Sequence, residues 1–588
     1  VTRLWRSQRA RLRRVVVAAG LLAAAAQACA VDAGQQLRRF QSETQQRIQA
    51  GEPRPSPLPA LPPSPSASAA AASSGRTHVS GFEIHGATRF SQAQIAAALE
   101  GYVGRSLDTA EIHAAANRLR RLYRDAGYLL AKVFVPPQAF GEIVRLDVEE
   151  GYLEPGGIEV QDKGERVGAA AVRSILDANL YFDRPLQAQD LERALLLADD
   201  LPGTRIGSIL YPGREVGTAR LRTVMSDEPQ LSGNVDFDNF NLPQIGQYRL
   251  GATLYLNSPG GVGDQAVARL VSSGARSNYA YLSYLRPLSP TGTRVGASID
   301  YYGYDGTALF DLGAIDGYAS NARLYLTHPL VRSRLRNLSL RTDLSYVAID
   351  DRRSSSGATF SADRRLGTVS VSLEGDETHD FLPNGTTLFD ATLTAGNVDV
   401  RGGALYQQID ASGPQTAGGF ARLNFRVQRL QHLAGPWSLY ASAAGQLASR
   451  NLDPLERFYL GGPLSIPGYP IGEVSGDQGA ELWVELRHDF AAPWGGNLQA
   501  GLSYDLGWVQ QQKDPWPGWK VIDPTLSNGV TLQSVALQLT QTIRDSWVIR
   551  GMVGWQIGAE PPIRQLTGDD SDGRSAGYRA WVQVIRYF

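Results

Sequence analysis

The chain has 588 residues, too many for one ordinary domain, and its 57 Lys+Arg against 58 Asp+Glu leave a formal net charge of −1. That balance excludes a general nucleic-acid binder, whose basic surface must displace counterions from phosphates. After the N-terminus no apolar run is long enough for a membrane helix, so spanning a membrane would require a β-barrel.

Residues 1–30 read as an export signal: Arg3, Arg6, Arg9, Arg11, Arg13 and Arg14 form the charged region and Val15 to Ala26 the apolar one. Ala28-Cys29-Ala30 is an A-x-A cleavage site. Cys29 as a lipoprotein acceptor fits less well, because Ala26-Gln27-Ala28 lacks the usual aliphatic residue. Cleavage after Ala30 leaves a mature chain without cysteine, which removes disulfides, thiol nucleophiles and Cys-type metal sites together. Residues 31–51 are polar and helix-tolerant, with Leu37, Phe40 and Ile48 at rough helical spacing. A short amphipathic helix and a tail both fit. Residues 52–78, rich in Pro, Ala and Ser from Pro53 to Ser74, read as an extended linker.

Residues 79–152 have βααββ order. Phe82 and Ile84 suggest a strand, and Asp108 with Glu111 is a capping box opening a helix with Ile112, Leu119, Leu122, Tyr123 and Ala126 along one face. Gly127 suits its end. Tyr128 to Val135 follows as a strand closed by Pro136-Pro137, and Val144, Leu146 and Val148 alternate in the next. Residues 153–228 repeat the order, with strands at Ile158–Val160, Ile206–Leu210 and Leu221–Val224 around helices near Val172 and Leu191.

From residue 229 to 588 the period becomes two. Leu338, Leu340, Thr342, Leu344 and Tyr346 alternate with Ser339, Arg341, Asp343 and Ser345; Leu482, Val484 and Leu486 alternate with Glu481, Trp483, Glu485 and Arg487. About sixteen such strands, at roughly 22 residues per strand and connection, suit an antiparallel outer-membrane barrel with a polar lumen. The chain ends in Tyr587-Phe588 on a strand. Nothing here suggests catalysis, a metal or a cofactor: the seven His show no H-E-x-x-H spacing and no G-x-S-x-G elbow occurs. Glu481 and Glu485 read as a charged lumen wall, and Trp508, Trp516 and Trp519 as a membrane-interface girdle.

One long connection stands apart: Arg457 to Gly462, then Ile466-Pro467-Gly468-Tyr469, Glu473, and Gly476-Asp477-Gln478-Gly479. It resembles the pore loop of two-partner secretion transporters (TpsB type, the ShlB/FhaC/HecB-like haemolysin secretion/activation family), relatives of the barrel-assembly insertase superfamily. Asp505 and Gly507 resemble that family's barrel-wall motif, Asp238-Asn239 and Gly263-Asp264 two further landmarks, and Leu201-Pro202-Gly203 a landmark of its second POTRA domain. The resemblance implies two POTRA domains ahead of an all-β transmembrane barrel, a plug-like helix at 31–51, and export of a large partner protein (adhesin, haemolysin or toxin). It further implies residence in the outer membrane amid its lipid, with the POTRA domains in the periplasm and insertion by the barrel-assembly machinery. A general porin or an assembly factor would use some of the same parts. Two departures matter: Pro467 stands where the family has Arg, and Asn241 where Gly is usual. Without that Arg, Asp505 must be solvated by the pore or paired with another luminal Arg, for which Arg422, Arg426 and Arg487 are the candidates.

Overall fold

The computed structural model describes residues 32–49, 76–162, 164, 166–307, 314–355, 358–378, 382–492, 495–520, 527–544 and 546–588. The export-signal segment and the Pro53–Ser74 linker lie outside them. A helix, α1 (Ala33–Gln49), comes first. The first α+β unit follows as β1 (Thr77–Val79), β2 (Gly81–His85), α2 (Gln92–Leu99), β3 (Arg105–Leu107), α3 (Thr109–Asp125), β4 (Lys132–Phe134) and β5 (Ile143–Glu149). The capping box forms as its spacing predicts: Glu111 N donates to the Asp108 carboxylate at 2.8 Å and Asp108 N to Glu111 at 3.0 Å. Ile112, Leu119 and Tyr123 of α3 are buried against Val144, Leu146 and Val148 of β5, each fully buried aliphatic contributing about 2 kcal/mol. The strand expected over Tyr128–Val135 shortens to Lys132–Phe134, because Tyr128 bridges to Gln187 of the next unit instead.

That next unit comprises β6 (Tyr152–Asp162), α4 (Ala169–Asn179), α5 (Ala188–Asp199), β7 (Thr204–Pro212) and β8 (Thr218–Asp227), with sheet order β6-β8-β7. Its core packs Val172 and Leu176 of α4 and Leu191 and Leu195 of α5 onto Ile158, Ile206 and Leu221.

The rest of the chain is one closed sheet. Its strands are β9 (Leu231–Asp238), β10 (Arg249–Asn257), β11 (Gln265–Ser272), β12 (Ser277–Pro287), β13 (Arg294–Thr307), β14 (Ala314–Arg332) and β15 (Arg336–Ser355). β16 (Ala358–Ser361) only extends β15, and the wall resumes with β17 (Arg364–Thr378), β18 (Gly385–Val400), β19 (Gly418–His432) and β20 (Trp437–Ala448). Inside the next connection β21 (Phe458–Leu460) and β22 (Val474–Gly476) form a small ribbon. The wall ends with β23 (Gln478–Ala491), β24 (Asn497–Gln510), β25 (Gly529–Ile543), β26 (Trp547–Ile557) and β27 (Tyr578–Tyr587), which pairs with β9. Sixteen antiparallel strands thus close the barrel. Alternation sorts their side chains: Leu344, Tyr346, Leu502 and Tyr504 are exposed on the outside, while Asp343 ion-pairs with Arg341 and Asp505 is buried within. Of the three tryptophans expected at the membrane interface, Trp508 lies exposed at the end of its strand. Trp516 and Trp519 belong instead to the β24–β25 connection, Trp516 beside Gly413 and Trp519 under Lys520.

The second α+β unit docks on the turns at one end of the barrel. Asn179 donates to Pro290 O at 3.0 Å, Arg193 to Pro329 O at 2.9 Å, and Arg332 grips Asp200 through two bonds of 2.8 and 2.7 Å. Two landmarks meet here: Gly263, at φ +76°, is so close to Leu201 that an added Cβ would lie 2.6 Å from its Cδ2.

Glu150, just past β5, holds the first unit together. It accepts from Thr88 N at 2.6 Å, Arg89 N at 3.0 Å, the Thr88 hydroxyl at 2.5 Å and the Tyr123 hydroxyl at 2.8 Å. Burial alone would push its carboxyl up; these hydrogen bonds, led by those of Thr88, overcome that and hold it below the ordinary value of 4.5. With the folded-state value depressed, its stabilisation is complete above about pH 4.5 and is lost as pH falls through the folded value. We expect the hydrogen-exchange protection factors of the α3 amides, corrected for the intrinsic rate at each pH, to fall below that pH. Glu150→Gln should bring the lower protection to neutral pH, at a cost of about 1–3 kcal/mol.

Candidate functional site: the contents of the lumen

Helix α1 lies inside the barrel. Its N-terminus is capped by Asp32, which accepts from Gln35 N at 2.9 Å. One face carries Leu37 and Phe40, and the Phe40 ring stacks on Tyr279 at 4.9 Å and packs on Tyr302 at 5.3 Å, both from the barrel wall. Polar contacts fix its rotation: Gln41 donates to Asp300 at 2.5 Å, Arg39 to Phe240 O at 3.0 Å, and Glu43 pairs with Arg249 at 3.1 Å. Arg249 also pairs with the landmark Asp238 at 2.7 Å.

The opposite half of the lumen holds the 449–477 connection, which starts at the far end from the α+β units and folds back along β24 to β27. Ile466 and Tyr469 are buried with Leu460, Val474, Val509, Val530 and Leu532. Glycines make the close approaches: an added Cβ at Gly507 would lie 2.6 Å from Leu460, at Gly476 2.4 Å from Gln510 O, and at Gly479 2.5 Å from Phe458. Asp477 closes the base of the loop, accepting from Leu452 N at 3.0 Å and Lys513 N at 2.7 Å beside Arg457 at 3.3 Å. Glu473 accepts from Ser571 N at 2.9 Å, which ties the loop to the β26–β27 connection.

Loop and helix are fastened to each other. Arg38 of α1 donates to Leu455 O at 2.9 Å and pairs with Glu456 at 3.0 Å. Arg364 of β17 meets three carboxylates: Asp32 ahead of α1 at 2.5 Å, Asp351 of β15 at 2.9 Å and Asp453 of the loop at 3.3 Å. One buried guanidinium therefore joins helix, wall and loop, through Nη2 to Asp32 and Asp351 and through Nε to Asp453.

The three luminal arginines are engaged away from Asp505. Arg422 pairs with Glu456 and Asn424, Arg487 pairs with Glu485 at 2.8 Å and lies over the Tyr440 ring, and Arg426 stands opposite Asp390 in the β18–β19 register. Asp505 is 0% exposed and accepts from the hydroxyls of Ser503 at 3.1 Å and Ser534 at 2.9 Å. Its protein partners among the described residues are these two serines and no arginine, because β25 places Ser534 directly across from it. Glu481 accepts from Ser465 of the loop at 2.7 Å. Asn241 does more than shape a turn: its amide donates to Gly246 O at 2.9 Å and its oxygen accepts from Arg39 of α1 at 3.4 Å.

Sequence reasoning missed Arg364, Arg38, Gly554 and Trp581. An isolated Arg or Trp on an alternating strand carries no local signal of what it will meet across the lumen.

A sequence family described as haemolysin secretion/activation protein ShlB/FhaC/HecB matches residues 217–521, and a ShlB-type POTRA domain family matches residues 77–151. The chain belongs to the haemolysin secretion/activation family. The transporters of this family reside in the outer membrane with their POTRA domains in the periplasm, so the turns that touch the second α+β unit are periplasmic and the 449–477 loop enters from outside. The chain is 25% identical to the heme/hemopexin transporter protein HuxB of Haemophilus influenzae (strain 86-028NP) over 84% of both chains. It is 25% identical to the hemolysin transporter protein ShlB of Serratia marcescens over 87% of both. In fold it resembles CdiB from Escherichia coli, with a TM-score of 0.69, 20% identity, and 94% of this chain and 98% of that one covered.

Removing Arg364 leaves three buried carboxylates without their shared cation, an imbalance of about 3–5 kcal/mol. We expect Arg364→Ala to loosen α1. In planar bilayers the purified variant should conduct more than the parent, approaching a form lacking residues 33–49; equal conductance in parent and variant would contradict the assignment.

Proposed function

We propose that this chain exports one large partner protein, an adhesin, haemolysin or toxin, which crosses the outer membrane unfolded through the barrel. The observation that carries the reading is a closed barrel with a POTRA-type module docked on its periplasmic turns and its lumen filled by a helix and a folded loop. A general porin has no use for either feature. The relatives' names agree in kind, being hemolysin and heme/hemopexin transporters.

In this reading the edge strands β6 and β7 of the second α+β unit receive an extended client segment by strand addition, main-chain hydrogen bonds giving affinity and side-chain pockets selectivity. Helix α1 plugs the resting pore. It leaves with the loop's rearrangement, because Arg364 and Arg38 hold both. Folding of the client outside supplies direction, and no nucleotide, metal or cofactor takes part. The barrel-assembly machinery inserts the barrel into lipid.

Deleting residues 77–227 should abolish appearance of the partner in culture medium while the barrel still assembles, which immunoblotting of medium and outer membrane decides. Within the loop, Gly468→Val and Tyr469→Ala should impair export more than Asp505→Ala. A Cβ on Gly468 would meet Ser534 and the Trp555 backbone at 2.9 Å, and emptying the Tyr469 site costs about 3–5 kcal/mol. If Asp505→Ala alone stops export, the carboxylate has a role beyond its two serine bonds.

A further inference from the structure

The resemblance implies that a side-chain ion pair from the loop tip to the barrel wall seats the tip. In this chain the tip carries Pro467, which has neither charge nor N–H, and yet the tip is seated. The main chain does it. The Pro467 carbonyl accepts a buried hydrogen bond of 2.8 Å from Nε1 of Trp581 on β27. Opposite it, Gly554 of β26 has no side chain; a Cβ there would lie 2.5 Å from the Pro467 carbonyl carbon and 2.6 Å from Gly468 N. The tip therefore lies flat on the β26 backbone, at a spot only glycine leaves open.

Trp581 is itself held on three sides. Its ring packs edge-on against Phe240, just past β9, at 6.0 Å and 81°, and Ile471 of the loop joins the same buried cluster. On either side of it in the chain, the Asn239 side chain donates to Ala580 O at 2.9 Å and accepts from Val582 N at 2.9 Å. The indole N–H is thus aimed by both strands that close the barrel.

We infer that Trp581 is the residue that positions the loop tip, its indole N–H on the Pro467 carbonyl replacing the arginine–carboxylate contact that the family resemblance implies. Asp505 is left with Ser503 and Ser534, and the tip still lies beside it: Ser534 is both the Asp505 donor and the residue against which Gly468 rests. An arginine at position 467 would have a buried carboxylate within its neighbourhood.

The inference rests on the export reading only for its physiological consequence, so the test separates the two. Trp581→Phe keeps the ring against Phe240 and Ile471 but removes the N–H, leaving a buried carbonyl without its donor; the seated tip should become about tenfold less favoured. Purified barrels in planar bilayers, with no partner present, should then show about tenfold more frequent large-conductance openings. Adding Pro467→Arg should restore the quiet state by pairing with Asp505, and Asp505→Asn on top of that pair should abolish the restoration. Partner export from cells should follow the same order, with heat-modifiable migration on gels confirming that each barrel assembles. Parent-like conductance in Trp581→Phe overturns the assignment, as does a disturbance that Pro467→Arg leaves uncorrected, since a packing defect at Trp581 would not answer to a charge at the tip. Should the conductance series come out as expected while export stays unchanged throughout, the positioning role stands and the export reading of the loop fails.

Discussion

Hydrocarbon offers a backbone amide no partner, so each N–H and C=O in the spanning sheet must be met by another strand. Closure is the consequence, and the interior of this protein depends on it. The wall returns on itself where β27 meets β9, paired from Gln583–Asp238 to Tyr587–Asn234, and Phe588 extends the match by exchanging two 3.0 Å bonds with Gly233. Beyond Asp238 the Asn239 main-chain N–H still donates to Val582 O at 3.3 Å, and its side-chain amide adds bonds to Ala580 O and from Val582 N. Once the sheet is closed, every alternate residue faces a confined polar space rather than bulk water, and its charges must be answered there.

That confinement explains the contents of the lumen. Buried Arg269 pairs with Asp236 at 2.9 Å and Arg249 with Asp238 at 2.7 Å within the wall, each charge met by its opposite. The helix and the loop enter the same account as suppliers of counter-charges: Glu43 to Arg249, Asp32 and Asp453 to Arg364, Glu456 to Arg422. Withdrawal of either element uncovers charge in the other, so the two are coupled electrostatically as well as by contact. A buried ion-pair network of this kind is a weak source of net stability, while breaking one partner out of it leaves an uncompensated buried charge.

The periplasmic module is built on different physics. Its two units are ordinary soluble cores of helix on sheet, and buried Glu150 is satisfied by residues of its own unit. Their attachment to the barrel uses exposed turns, backbone carbonyls and the Asp200–Arg332 pair. Glycines at 203, 263 and 292 let backbone and side chain meet there more closely than a Cβ would allow.

The wall, its inward and outward faces, the capped helix at Asp108 and the order of the soluble units were all written in the amino-acid sequence. They depend on local backbone geometry: a period of two for strands, 3.6 for helices, and caps that act within one turn. The loop motif was legible as a motif, and its glycines do mark close approaches. What touches what across the lumen was not legible. Ala33 N meets Asp351 318 residues away, and Trp581 meets Pro467 across 114. Such pairs exist only because the sheet closes with one register, which brings β27 to the loop tip and turns Arg364 toward the helix. That Ser534 donates to Asp505 was illegible for the same reason: the serine across from it on β25 is fixed by strand register, a property of two chain segments that neither shows alone.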